Sequence, residues 1–346
     1  MGGQAGEAVT LRALVTGGGG FLGGAIVRAL LRRGAQVTSF ARGDYPLLAA
    51  AGVRVVRGDL TDAEAVARAA AGCDAVFHVA ARPGVWGPYD DFFQANVVGT
   101  RNVLAACRAL GIRRLVYTST PSVVHGGGDL EGVDNTAPYP ADFEAAYPET
   151  KAIAEREVLA ANDATLSTVA LRPHLVWGPG DNHLMPRVVA RARAGRLRLV
   201  NGGRARVDAV YVDNAADAHL CALDRLQPGA ACAGRAFFVT NEDPRTQKEI
   251  IDRMLAAHGL PPCDRSVPAW AAWLAGAALE GAHHLLRRAD EPMMTRFLAR
   301  QLATAHWYDT RATREALGYT PTISMDEGFE RLTAAVRAEH IGAQAP

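Results

Sequence analysis

The 346-residue sequence predicts an α/β protein: a doubly wound parallel sheet with a smaller, mostly helical C-terminal part. Three observations carry that reading. Short apolar or β-branched runs alternate with helix-length patterns through the first half, as βαβ crossovers on both faces of a parallel sheet require. A glycine cluster falls where the first run meets the first helix. After residue 172 the rhythm breaks into a segment rich in proline and glycine (173–186), and the pattern is mostly helical from 246 onward.

Taken in order, residues 11–16 form a first strand that stops at Gly17, and 21–33 has helical spacing. Further strands are expected at 36–40, 53–57, 75–79 and 113–118, with helical stretches between them. A helix over 144–162 leads to a strand at 166–171, and 207–212 and 235–239 read as two strands returning to the sheet. The expected organisation is a nucleotide-binding domain over 10–172, to which 205–240 returns, and a substrate-binding part made of 173–204 and 241–338. Residues 1–9 and 339–346 are expected to be flexible ends. One large domain, or two sharing a cleft, suits this length.

Composition narrows the function. With 49% hydrophobic and 21% charged residues the chain can bury a core, which excludes disorder. A net charge of +1 gives no global attraction to nucleic acid or an anionic membrane. The five cysteines include no C-x-x-C pair, which argues against disulfides or a zinc site and for a reduced, cytoplasmic location. The start lacks a signal-peptide pattern, and no run reaches the roughly 18 apolar residues of a membrane span. The ten histidines include no H-x-H or H-E-x-x-H, so no metal is expected. His125, His174 and His183 fall in loops near the expected cleft, each either a substrate contact or a hydrogen-bonded structural histidine.

The loop 16–23 sets Gly17, Gly20 and Gly23 between strand and helix, with Phe21 and Leu22 opening the helix. Glycines there allow a tight turn and close approach to a pyrophosphate, whose charge the helix N-terminus favours. The loop therefore reads as a dinucleotide site of Rossmann type. At the end of the second strand, where a carboxylate would bind the ribose of NAD, the chain has Ala41 followed by Arg42. That change of charge sign favours NADP(H) over NAD.

Tyr147 and Lys151 stand four apart at a helix start, on one helical face, where a cation is expected to lower the phenol pKa. A tyrosine so tuned can give a proton to a carbonyl oxygen. Lys151 and Lys248 are the only lysines, which makes this placement informative. Upstream, Ser119, Thr120 and Ser122 end a strand with hydroxyls that can reach the same oxygen or satisfy a turn.

With these motifs the chain resembles the extended short-chain dehydrogenase/reductase family over nearly its whole length. Gly58-Asp59-Leu60, His78 to Ala81, Asn96 to Thr100, Tyr147 with Lys151, and Leu171-Arg172-Pro173 fall in the family's order. The resemblance implies that Asp59 and Leu60 contact adenine and that Ala80, Ala81, Asn96 and Ser119 line the cofactor groove. It implies Thr120 as the hydroxyl partner, Tyr147 as proton donor and Lys151 as a ligand of the nicotinamide ribose, with Pro173, Leu175 and Val176 over the nicotinamide. Ser119 and Ser122 leave the catalytic hydroxyl open. Segments 120–128, 171–183 and 304–309 resemble the 3-beta-hydroxysteroid dehydrogenase-like branch, and within it the reductases of bacterial long-chain olefin biosynthesis.

What this implies is NADPH-dependent reduction of a β-keto group between two long alkyl chains. The alternatives are a steroid dehydrogenase, a nucleotide-sugar epimerase or, outside catalysis, an NADP-sensing module. The expected partners are a small aliphatic β-keto substrate, a second copy of the chain and other enzymes of its pathway. Two segments have plainer readings. The 268–279 stretch, with Trp270, Trp273 and Leu274, reads as a core helix, as an apolar wall for the substrate or as a docking face. The 208–214 stretch reads as structural, with Asp213 an N-cap.

Overall fold

The computed structural model describes residues 10–288 and 290–342. Seven parallel strands form the main sheet: β1 (Arg12–Thr16), β2 (Gln36–Ala41), β3 (Arg54–Arg57), β4 (Ala75–His78), β5 (Arg114–Thr118), β6 (Ser167–Pro173) and β7 (Arg235–Val239). Their spatial order is β7-β6-β5-β4-β1-β2-β3. The order reverses direction between β1 and β4, and in such sheets the crevice beyond the strand C-termini at this point is where dinucleotides bind.

Burial explains the strand composition. β1, β4 and β5 bury nearly every side chain because helices cover both faces. Helix Phe21–Arg32 lays Ile26, Val27 and Leu30 on the sheet and packs against helix Val212–Arg225. Ala65, Val66, Val103 and Cys107 fill the opposite layer.

Several boundaries differ from the sequence reading. Of the two strands expected to return to the main sheet, only β7 does. The 207–212 stretch divides into two short strands: Arg206–Val207 joins a second four-stranded sheet, and Val210–Tyr211 pairs with Val176–Trp177. Asp208 between them turns inward, which ends the strand. Asp213 lies inside the first turn of helix Val212–Arg225, whose N-cap is Tyr211. The last helix, Met325–Gly342, continues through 339–342, part of the stretch expected to be a flexible end. Residues 1–9 and 343–346 lie outside the described residues.

Candidate active site

The glycine loop has the shape its residues imply. Gly17 has φ +72° and sits against Ala80, where a Cβ would come 3.0 Å from the Ala80 Cα. A Cβ on Gly23 would overlap the Gly17 carbonyl oxygen. Gly20 caps the helix with extended backbone, while Phe21 and Leu22 begin it and pack on the core. Thr16 ties the loop to β4 by accepting from the Val79 and Ala80 amides, each at 3.1 Å. The Tyr45 ring covers Gly19. Only chain folding brings that residue onto the loop, so the local motif gives no signal of it.

At the ends of β2 and β3, Ala41 is the register partner of Arg57, whose Nε donates to the Arg42 carbonyl at 2.9 Å. Two guanidinium-bearing residues therefore meet at this edge, of which the sequence reading had only Arg42. Asp59 accepts from the Thr61 amide and hydroxyl, and these bonds, with Arg42 nearby, hold its carboxyl below the usual range. Leu60 lies against Gly99 and leaves no room there for a Cβ. Ala81 is partly buried.

Asn96 sits in a π-helical turn, Gln94–Val98, between helices Tyr89–Phe93 and Gly99–Ala109. Its side chain accepts from the Arg82 amide at 2.7 Å and donates to the Arg82 carbonyl and the Thr150 hydroxyl. It thus clamps the loop after β4 to the helix that carries Tyr147, and it does so buried.

Helix Ala146–Ala160 carries Tyr147 in its first turn and Lys151 one turn later. The Lys151 ammonium donates to the Thr118 carbonyl at 2.6 Å and lies 4.2 Å from the Tyr117 ring centroid. Burial drives its pKa down to about 7, against the pull of Glu155. Tyr147 keeps some exposed area, yet its dense surroundings push its pKa up to about 12, with only the Thr120 hydroxyl lowering it. In the free site desolvation therefore outweighs any lowering of the phenol by Lys151, whose ammonium is engaged at Thr118.

Thr120 and Ser122 hydroxyls are 3.1 Å apart, and both line one pocket of about 200 Å³ with Tyr147. Ser119 is buried outside that lining, and its hydroxyl has no partner among the described residues. At the end of β6, Pro173 is buried, Leu175 holds a left-handed backbone (φ +43°) and Val176 begins a short strand. The unpartnered Ser119 hydroxyl, the loop that a Cβ would fill and the Lys151 ammonium together fit a nicotinamide dinucleotide along this crevice. Among the described residues no group of histidine, cysteine or acidic side chains is arranged to hold a metal ion.

A cavity of about 930 Å³ adjoins the small pocket, with Val85 and Phe297 lining both. It replaces the expected apolar slot with a mixed one. Trp86, Phe92, Trp273 and Phe297 form aromatic walls, and Arg82, Arg288, Arg296 and Arg300 pair with Asp91, Asp290, Glu280 and Glu144. Loop 82–88 contributes a wall the sequence reading did not foresee. The 173–186 segment gives only His174, and that to the small pocket. Helix Ala269–Leu285 turns Trp273 to the cavity and leaves Trp270 69% and Leu274 53% exposed, so it is not a core helix. His183 is exposed at the start of helix Leu184–Arg193, away from both cavities.

The 3-beta hydroxysteroid dehydrogenase/isomerase family matches residues 14–267. A 2-alkyl-3-oxoalkanoate reductase of Stenotrophomonas maltophilia is 54% identical over 330 residues, covering 95% of this chain and 100% of that one. A protein of the same name from Shewanella oneidensis is 48% identical, over 94% of this chain and 86% of its own. The human sterol-4-alpha-carboxylate 3-dehydrogenase, decarboxylating, is 32% identical over 94% and 88%. Among solved structures, MoeE5 in complex with UDP-glucose and NAD shares the fold, with a TM-score of 0.73 and 24% identity over 95% of this chain and 99% of its own. No helix among the described residues is long and apolar enough to cross a membrane. The chain belongs to the 3-beta hydroxysteroid dehydrogenase/isomerase family of extended short-chain dehydrogenases/reductases, and it is an NAD(P)-dependent oxidoreductase.

Proposed function

We propose that this protein reduces the β-keto group of 2-alkyl-3-oxoalkanoates to the 3-hydroxy acid with NADPH, as a step in olefin biosynthesis. The carrying observation is that Tyr147 and Thr120 line a small pocket opening beside a cavity of about 930 Å³, large enough for alkyl arms. Two relatives near half identity bear the name of that reaction. Arg42 and Arg57 at the β2–β3 edge, with no carboxylate at Ala41, support a 2′-phosphate.

In this reading the keto oxygen accepts from the Tyr147 and Thr120 hydroxyls, with Ser122 holding Thr120 in place. The bound nicotinamide supplies the hydride. Tyr147 gives up its proton only as negative charge grows on the keto oxygen, because a phenol near pKa 12 is not ionised beforehand. Lys151, held by the Thr118 carbonyl, supplies the positive field that such a phenolate needs. Asp59, Leu60, Ala80, Ala81 and Ser119 would line the dinucleotide groove, and Pro173, Leu175 and Val176 the nicotinamide end. Asn96 would position these parts rather than touch the cofactor.

The test is NADPH oxidation, with NADH as control, against a 2-alkyl-3-oxo acid, a steroid ketone and a UDP-sugar. The acid with NADPH should be the best pair. Tyr147→Phe should keep NADPH binding and lose about 10²-fold or more in turnover. A higher kcat/KM for the steroid or the sugar would overturn the substrate assignment.

A further inference from the structure

We propose that the imidazole cluster His125–His306–His174 is the seat of the substrate's carboxylate. The inference rests on the β-keto acid reading above and concerns the group that separates such an acid from a plain ketone. The carboxylate carbon of a 3-oxo acid is two bonds from the keto carbon, about 2.5 Å away. If the keto oxygen is on Tyr147 and Thr120, the carboxylate must therefore lie in the same pocket of about 200 Å³.

That pocket's other polar residues are Ser122, His125, His174, Gln301, His306 and Tyr308; among the described residues no acidic side chain, lysine or arginine lines it. An anion drawn from water into such a site needs donors. The histidines fit this need, because their present bonding leaves capacity. His306 Nε2 lies 2.9 Å from His125 Nε2 and 2.8 Å from the Thr304 hydroxyl, which also contacts the Arg300 carbonyl. His125 Nδ1 accepts from the Gly127 amide at 3.3 Å, so in the neutral ring its Nε2 carries the proton and donates to His306 Nε2. His174 donates from Nδ1 to the Asp208 carbonyl at 2.6 Å, so its Nε2 is an acceptor. The rings also meet edge to face, His306 with both others.

Burial holds all three imidazoles below their ordinary pKa, so the cluster is neutral near pH 7. One further proton from solvent, taken up with the carboxylate, turns the shared N–H···N contact into two N–H donors. The two N–H groups repel and swing apart, which turns each toward a carboxylate oxygen, and the imidazolium balances its charge. The charged and titratable groups around the cluster are few. Arg300 and Asp129 act on His125, His174 and His125 act on His306, and Asp208 and Tyr308 lie beside His174, with Tyr147 and Thr120 in the same lining. The strand His306–Tyr308 is held by its own ladder to Leu130 and Val207, so packing alone does not call for an imidazole at 306.

The test compares a long-chain 2-alkyl-3-oxo acid with the ketone left when its carboxylate is lost, both reduced with NADPH. In the wild type the acid should be preferred by roughly 10- to 100-fold in kcat/KM, carried mainly by KM. Its KM should rise as pH increases above neutrality, while that of the ketone stays flat. In His125→Gln and His306→Gln, with folding checked by NADPH binding, the acid-over-ketone ratio should collapse toward one. The wild-type comparison and its pH arm need no variant, so misfolding cannot shield the proposal. Equal kcat/KM for acid and ketone in the wild type would overturn the seat and leave the reductase reading standing. So would variants that lower both substrates in parallel. A wild type inert toward both, yet active on a steroid ketone, would overturn both readings.

Discussion

Replacing Glu155 with glutamine should weaken the fold and shift the pH profile together, because this carboxylate holds Arg172 and Tyr139 and also acts on Lys151. Glu155 is buried and receives Arg172 Nε at 3.0 Å, Arg172 Nη2 at 2.6 Å and the Tyr139 hydroxyl at 2.6 Å. A glutamine amide nitrogen would point at one of those donors, and the buried Arg172 guanidinium would lose its counter-charge. Breaking a buried pair from one side costs about 3–5 kcal/mol. One helical turn earlier, the Glu155 charge raises the Lys151 pKa that burial has lowered to about 7. Without it the Lys151 pKa falls further. The active form needs the ammonium, so kcat/KM should begin to fall at a lower pH than in the wild type. Urea denaturation reads the first effect and a pH series of kcat/KM the second. A double variant, Glu155→Met with Arg172→Leu, should recover much of the stability, since a packed apolar pair can replace a buried ion pair. It should keep the shifted profile. An unshifted profile in a stable double variant would refute the coupling between Glu155 and Lys151.

Other expectations are independent of that pair. Arg42→Ala should raise KM for NADPH over that for NADH by roughly 10- to 100-fold, the range for a lost charge-assisted bond; equal effects on both cofactors would refute the assignment. Gly23→Ala sets a methyl group onto the Gly17 carbonyl oxygen, so calorimetry should find NADPH binding lost, and near-normal affinity would count against the phosphate-loop reading. Along a series of alkyl lengths, each buried methylene should add about 0.8 kcal/mol at most, roughly fourfold in kcat/KM. Trp273→Ala, which opens the cavity wall, should flatten that rise, while Trp270→Ala, on the exposed face, should not.

The sheet was legible because its signals are local. A run such as Ala13-Leu14-Val15 is apolar enough to mark a strand without any partner, and Gly17, Gly20 and Gly23 need only their neighbours to define a turn. The same holds for Tyr147 and Lys151, one turn apart on one helix. What could not be read depends on contacts across the chain. His125 meets His306 over a separation of 181 residues, and Arg300 meets Glu144 over 156. Glu155 and Arg172 are close in sequence, yet nothing in the helix pattern says that both are buried. The 207–212 run looks like one strand, and only the inward turn of Asp208, accepting from the Tyr308 amide, divides it.

The π-helical turn at Gln94–Val98 has a consequence for how this chain tolerates length changes. Such a turn accommodates one more residue than an α-helix would between the same two ends. The clamp made by Asn96 on Arg82 and Thr150 depends on that added residue being where it is. Deleting one residue of the turn would let the segment close to a continuous α-helix whose two flanks keep their present phase, so the change falls on the residues of the turn itself, Asn96 among them. Asn96 would then be re-aimed away from Arg82 and Thr150, while the helices on either side stayed in register. Substitution at Asn96 removes one set of bonds and keeps the turn, whereas a one-residue deletion removes the turn that aims Asn96 and leaves the flanking helices where they were.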